Sequence, residues 1–191
     1  MEKEIKQLFL TISALVLTIT MSAQNLDKGY HGFVESAYSI GTGTTTDISW
    51  VELNTIHGYQ ATPYLFVGAG VGFHFTSELS EGDISGKPMW KRDNGMEIPV
   101  FVDFRWTVLN KKTTPFVDLR LGHNISNDSG MYSSIGAGCR FVLKENKAIY
   151  ALLSYTTHNF LYEELSSIRY MQYKEIEDSW SNVSLKIGFE F

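Results

Sequence analysis

The chain has a single cysteine, Cys139, in 191 residues. It cannot close a disulfide within itself, and it has no thiol cluster for zinc or iron–sulfur. Charged residues are sparse at 19%, against about 25% in a typical soluble protein. A basic excess is also missing. The formal charge of −5 and the pI near 5.5 lack the basic stripe of a nucleic-acid binder. No apolar run reaches the roughly 20 residues that a transmembrane helix requires. The period of an amphipathic helix is absent as well, apart from a short ambiguous stretch from Tyr162 to Ile168. No metal cluster, phosphate-binding loop or nucleophile elbow can be read, and no cofactor is expected.

What the chain does have is aromatics, 14% with 10 Tyr and 12 Phe, and a two-residue rhythm. The N-terminus comes first. Lys3 and Lys6 precede a fourteen-residue apolar run, Leu8 to Met21, and the small residues Ser22 and Ala23 follow. This is the layout of a secretory signal. Residues 1–23 are therefore expected to be removed, leaving residues 24–191 as one exported domain.

Alternation of apolar and polar residues then recurs almost to the end, which is the signature of half-buried strands. Eight are expected: Tyr30 to Ile40, Ile48 to Tyr59, Tyr64 to Phe75, Met96 to Val108, Pro115 to His123, Gly130 to Leu143, Ala148 to Asn159, and Trp180 to Phe191. Each is about ten residues, the length of a tilted strand crossing a bilayer. Tight turns follow the second, fourth and sixth strands. The other connections are longer, above all Thr76 to Gly95 and Phe160 to Ser179, which read as polar loops. Short turns at one end and long loops at the other fit an outer-membrane barrel with both chain ends on the periplasmic side.

Alternation does not say which face is inside, but the contents of the polar face do. It is rich in Gly and Ser and carries charges of both signs. These are Glu35, Glu52, Asp103, Asp118 and Glu190 against Arg105, Arg120, Arg140 and Lys186. Small residues suit an eight-stranded interior, which is only wide enough for side chains to fill. Near-balance of sign suits charges that must pair once buried. On the other face, Tyr38, Phe73, Phe75 and Tyr155 fall toward the loop end, and Trp106, Phe189 and Phe191 toward the turn end. These are the two aromatic girdles of a membrane barrel. The expected fold is all-β, an eight-stranded antiparallel up-and-down transmembrane barrel in contact with outer-membrane lipid. The alternative is a secreted, soluble lipocalin-like binding barrel that buries the apolar set instead.

Several segments carry a resemblance. His57-Gly58-Tyr59-Gln60 leads into Pro63-Tyr64-Leu65-Phe66-Val67-Gly68-Ala69-Gly70-Val71-Gly72. Further on come Thr114-Pro115-Phe116-Val117-Asp118-Leu119-Arg120-Leu121-Gly122 and the alternating terminal set Leu185, Ile187, Phe189 and Phe191. With these, the span from Tyr30 to Phe191 resembles the small eight-stranded outer-membrane barrels of the OmpA/OmpX-like, porin-superfamily type. The resemblance implies an outer-membrane location in a Gram-negative-type cell. It also implies that the terminal four serve as an assembly signal read by the barrel-assembly machinery. It does not fix a function.

Three functional readings are open. The nine interior charges form a packing lattice, so that the protein is not a general diffusion porin, or they line a proton or ligand path. A lipid-modifying enzyme would use His123, Ser126 and Asp128, or His158 with Glu163 and Glu164. However, His123 and Ser126 are three apart, and a continuous strand throws them to opposite faces. The long loops bring Trp90 beside Lys87, Lys91 and Arg92, and add the tyrosines Tyr162, Tyr170 and Tyr173. These suit contact with an extracellular protein or glycan, or a lid over the mouth.

Overall fold

A computed structural model describes residues 28–191, apart from 43–48, 85–86, 110, 127–129, 145–146 and 168–171. Among these residues there are eleven strands and no helix. They are β1 (Gly29–Gly41), β2 (Ser49–Thr62), β3 (Leu65–Thr76), β4 (Leu79–Ile84), β5 (Lys87–Arg92), β6 (Gly95–Glu97), β7 (Pro99–Thr107), β8 (Thr113–Asn124), β9 (Gly130–Lys144), β10 (Lys147–Ser167) and β11 (Gln172–Glu190). The short β6 and β7 are separated by Ile98 alone and both pair with β3, so together they make one wall strand. The wall then runs β1-β2-β3-β6/β7-β8-β9-β10-β11, all antiparallel, and β11 returns to β1. This is a closed barrel of eight.

Closure rests on nine register pairs, from Phe33 with Glu190 to Gly41 with Asn182. Gly32 and Phe191 extend the seam by exchanging N–H···O bonds of 2.9 Å in both directions. Two glycines make the seam possible. A Cβ at Gly32 would lie 2.6 Å from the Phe191 ring, which covers it on the outer face, and a Cβ at Gly188 would overlap the Tyr150 ring on the inner face.

Burial settles which face is inside. Among the described residues, twenty-five polar or charged ones are buried, against twelve hydrophobic ones, while thirty-three large hydrophobics are exposed. A water-soluble domain has the reverse arrangement, so the lipocalin-like alternative is set aside. Every one of the nine predicted interior charges is buried, and the terminal Leu185, Ile187, Phe189 and Phe191 all point outward. Trp106 is 62% exposed and Tyr38 53%, at opposite ends of the apolar band. Cys139 is also exposed on this face.

The structure departs from the sequence reading in the two long connections. Thr76 to Gly95 contains the hairpin β4–β5. Most of Phe160 to Ser179 continues β10 and β11, which stay paired from Asn159 with Ser179 out to Ser167 with Gln172. The residues from Tyr162 to Ser167, read as ambiguous, are strand. Polar residues masked this because a hairpin standing clear of the bilayer has no apolar face to alternate. Beyond its last pairing with β9, at His158 with Tyr132, β10 continues for roughly 30 Å of strand at about 3.3 Å per residue.

The interior is less uniformly polar than the alternation suggests. Phe33, Ile56, Phe66, Phe101, Phe116, Tyr132, Tyr150 and Leu152 form one buried cluster inside the barrel. The aromatic rings lie over inward-facing glycines, as Phe101 does over Gly70. Gly188→Val should therefore overpack the seam and cost about 1–3 kcal/mol. The expected result is a lower urea midpoint for the barrel refolded in lipid vesicles, with the same heat-modifiable native band.

Candidate functional site: the charged interior and its covered mouth

Successive inward positions on a strand are two residues apart, so the sequence Asp103-Phe104-Arg105 on β7 places both charges inside. Asp118-Leu119-Arg120 on β8 does the same. In the antiparallel register Asp103 faces Arg120 and Arg105 faces Asp118. The four form a checkerboard of alternating sign along and across the strands. Arg105 Nε lies 3.1 Å from carboxylate oxygens of both Asp103 and Asp118, and Arg120 Nε lies 2.9 Å from Asp118.

The bore is narrow enough for this wall to touch the opposite one. Arg120 donates from both terminal nitrogens to Glu35 of β1, at 2.7 and 2.8 Å. The Tyr150 hydroxyl donates to the same carboxylate at 2.9 Å, and Arg105 stands 3.7 Å away. Arg105 also stacks on the ring of Phe33, its guanidinium carbon 4.2 Å from the centroid, and on Tyr150 at 4.7 Å. Such cation–π contacts gain strength when desolvated.

Toward the loop end, Glu52 gathers a second group. Lys186 Nζ donates to it at 2.8 Å, Ser39 Oγ at 2.5 Å and Trp50 Nε1 at 3.0 Å. Asn54 donates to Glu35 at 3.0 Å and to Glu52 at 3.3 Å, joining the two groups. Toward the turn end, Arg140 holds Glu190 through Nε and through Nη2 at 2.9 Å, and His31 adds a contact of 2.8 Å. Between this pair and Arg105 lies a cavity of about 20 Å³, lined by Phe33, Phe66, Phe116 and Tyr150 among others. That is room for about one water.

All nine interior charges are thus brought into ion pairs. The sequence reading left four participants out of its charge set: Glu97, His31, His74 and His158. The signal for them was parity alone, since each occupies an inward position. With Glu97 included, buried carboxylates among the described residues outnumber buried Arg and Lys by two, six to four. Each of the three histidines stands within 3.8 Å of a carboxylate: His31 by Glu190, His74 by Glu52 and His158 by Glu97.

The mouth at the loop end is crossed by chain. The β4–β5 hairpin leaves the wall between β3 and β6, yet β5 pairs with β10 on nearly the opposite side, Lys91 with Glu163 and Trp90 with Glu164. Trp90 and Trp180 both pack against Trp50. Lys91 bonds Glu163 at 2.5 Å and sits 4.3 Å over the Tyr173 ring, whose hydroxyl donates to the Pro88 carbonyl at 2.9 Å. The Glu163 carboxylate holds the Lys91 ammonium above its usual pKa. Trp90 and Tyr173, named as candidate loop contacts, are engaged within the chain, and Tyr170 lies outside the described residues.

The catalytic candidates are not assembled. His123 points outward, and the Ser126 hydroxyl donates to Asn124 at 2.8 Å. His158 is buried beside Glu97 rather than near Glu163, whose partner is Lys91. Asp128 lies outside the described residues. Among the described residues no group of three His, Cys, Asp or Glu is placed to hold a metal ion.

No family model matches the chain, and no curated protein matches it in sequence. Solved structures do match. Neisserial surface protein A superposes with a TM-score of 0.55 at 9% identity, covering 89% of this chain and 98% of that one. The fold is that of a small eight-stranded outer-membrane β-barrel. A major outer membrane protein of Thermus thermophilus aligns over 85% of this chain and 100% of its own, at TM-score 0.45 and 14% identity. E. coli outer membrane protein W aligns over 90% of this chain and 100% of its own, at TM-score 0.41 and 13% identity.

Two outcomes are expected. Arg120→Met removes the cation that Glu35 and Asp118 share and should cost about 3–5 kcal/mol, read by urea unfolding in vesicles, with part recovered in the double variant with Glu35→Gln. Trp90→Ala should free the hairpin over the mouth, so that added protease cuts within residues 77–94 many times faster while the barrel core stays resistant.

Proposed function

We propose that the mature chain resides in the outer membrane with its loop end outward. There it acts as a filled, non-conducting barrel whose projecting sheet of β4, β5, β10 and β11 serves a structural or surface-contact role. The observation that carries this reading is Arg120 gripping Glu35 across the bore. A bidentate pair between facing walls, with Phe101 beside its guanidinium and Arg105 packed next to it on Phe33 and Tyr150, leaves no continuous water path of the width a diffusion pore needs. The β5 segment over the mouth supports the same conclusion from the loop end. The outward apolar band and its aromatic ends support insertion in lipid. The terminal residues Leu185, Ile187, Phe189 and Phe191, held outward on the closing strand, suit recognition by the barrel-assembly machinery. An extracellular protein or glycan would meet the hairpin arm, the part of the chain that stands furthest from the bilayer.

Two measurements test this. In the outer-membrane fraction the protein should run as a compact band that shifts on boiling; soluble release into the periplasm would sink the membrane reading. In planar bilayers the purified protein should give no stable open channel, and reproducible large conductance steps would overturn the filled interior.

A further inference from the structure

The charges left outside the lattice are sorted by end. At the turn end stand Lys28 before β1, Lys111 and Lys112 between β7 and β8, and Lys144 and Lys147 flanking the β9–β10 turn. Their acidic sequence neighbours are Asp27 and Glu145, so these sequence segments carry a net of three positive side-chain charges. The loop-end segments 42–48, 77–94, 125–129 and 160–179 hold eleven acidic and five basic residues, a net of six negative charges.

The lysines do not stand alone. Lys28, Lys112 and Lys147 are exposed and Lys111 is half-buried. They occupy three separate stations around the rim. On the outer wall at the same end lies a belt of Tyr30, Tyr59, Tyr64 and Trp106, with Tyr30 and Trp106 each 62% exposed. Such rings settle at headgroup depth, and a lysine on a flexible stem beside them reaches the phosphate level. A ring of ammonium groups at that depth is attracted to anionic headgroups and is indifferent to zwitterionic ones.

We infer that the turn end is a seat for anionic phospholipid headgroups, built from Lys28, Lys111, Lys112 and Lys147 above the aromatic belt. The partner is the acidic glycerophospholipid of the adjoining leaflet, held by charge, with the rings fixing depth. The acidic loop end repels the same lipids, so the seat also sets which way up the barrel is most stable. This rests on the membrane reading above, but the two fail separately. A chain that is not a membrane barrel gives no heat-modifiable band in any vesicle, whereas loss of the seat leaves that band intact.

The test uses the refolded full barrel in vesicles of equal phosphatidylcholine and phosphatidylglycerol with matched acyl chains. Native mass spectrometry then counts the lipids that stay bound. Phosphatidylglycerol should be retained over phosphatidylcholine by more than about five-fold, the effect of a single lysine near an anionic surface. The triple variant Lys111→Gln, Lys112→Gln, Lys147→Gln should bring the ratio close to one and keep its band shift. Extraction of the unmodified protein in about 0.5 M salt should shrink the ratio in the same direction, because exposed charges are screened. The loop-end variant Lys174→Gln should leave it unchanged. Equal retention of both lipids by the unmodified protein, or an undiminished ratio in the triple variant, overturns the seat. So does lysine-dependent pelleting with purified peptidoglycan in the absence of any lipid preference, which would assign the same lysines to the cell-wall polymer.

Discussion

A strand that crosses lipid must find every backbone hydrogen-bond partner within the protein, because hydrocarbon offers none. In this chain that demand falls on the pairing of β11 with β1. Seven of the eight seams join strands that are neighbours in sequence, so a turn or loop brings each pair together. The eighth joins residues near 33 to residues near 190. It alone converts a sheet with two open edges into a wall with none, and the remaining features follow from it. Closing eight strands fixes a narrow bore, in which the inward side chains reach and satisfy one another.

The interior answers that demand in two ways at once. Aromatic rings lie over glycines and fill width, while carboxylates and guanidinium groups pair across it. The two are interlocked, since Arg105 belongs to the checkerboard with Asp103 and Asp118 and also stacks on Phe33 and Tyr150. Buried ion pairs of this kind are weak sources of net stability, because desolvation offsets most of their attraction.

Much of this was legible from the sequence because a lipid-facing strand has to write its face into every second residue. Parity put Glu35, Arg120 and Lys186 on one face and Leu185 and Phe189 on the other, and the small residues and balanced charges of the first face marked it as the inside. Neither could show who pairs with whom across the bore, since Glu35 and Arg120 are 85 residues apart and their meeting depends on barrel diameter. The pairing of Asp103 with Arg120 was within reach, given a correct register for one hairpin. The β4–β5 hairpin and the arm of β10 and β11 were not readable, because they stand where no lipid enforces alternation. The same gap hid the role of Trp90, which looks like an exposed loop aromatic until it is seen packed with Trp180 against the buried Trp50.

The checkerboard on β7 and β8 also works as an error check on strand alignment. Sliding β8 by one residue would turn both of its charges out into hydrocarbon, since side chains alternate faces. Sliding it by two would keep them inside but set Asp103 opposite Asp118, or Arg105 opposite Arg120. Either mistake is far more costly than the native pairing is favourable. Two short Asp-x-Arg words, read in opposite directions, thereby admit one register of a strand pair whose outer faces, mostly valine, leucine, phenylalanine and tryptophan, would accept several.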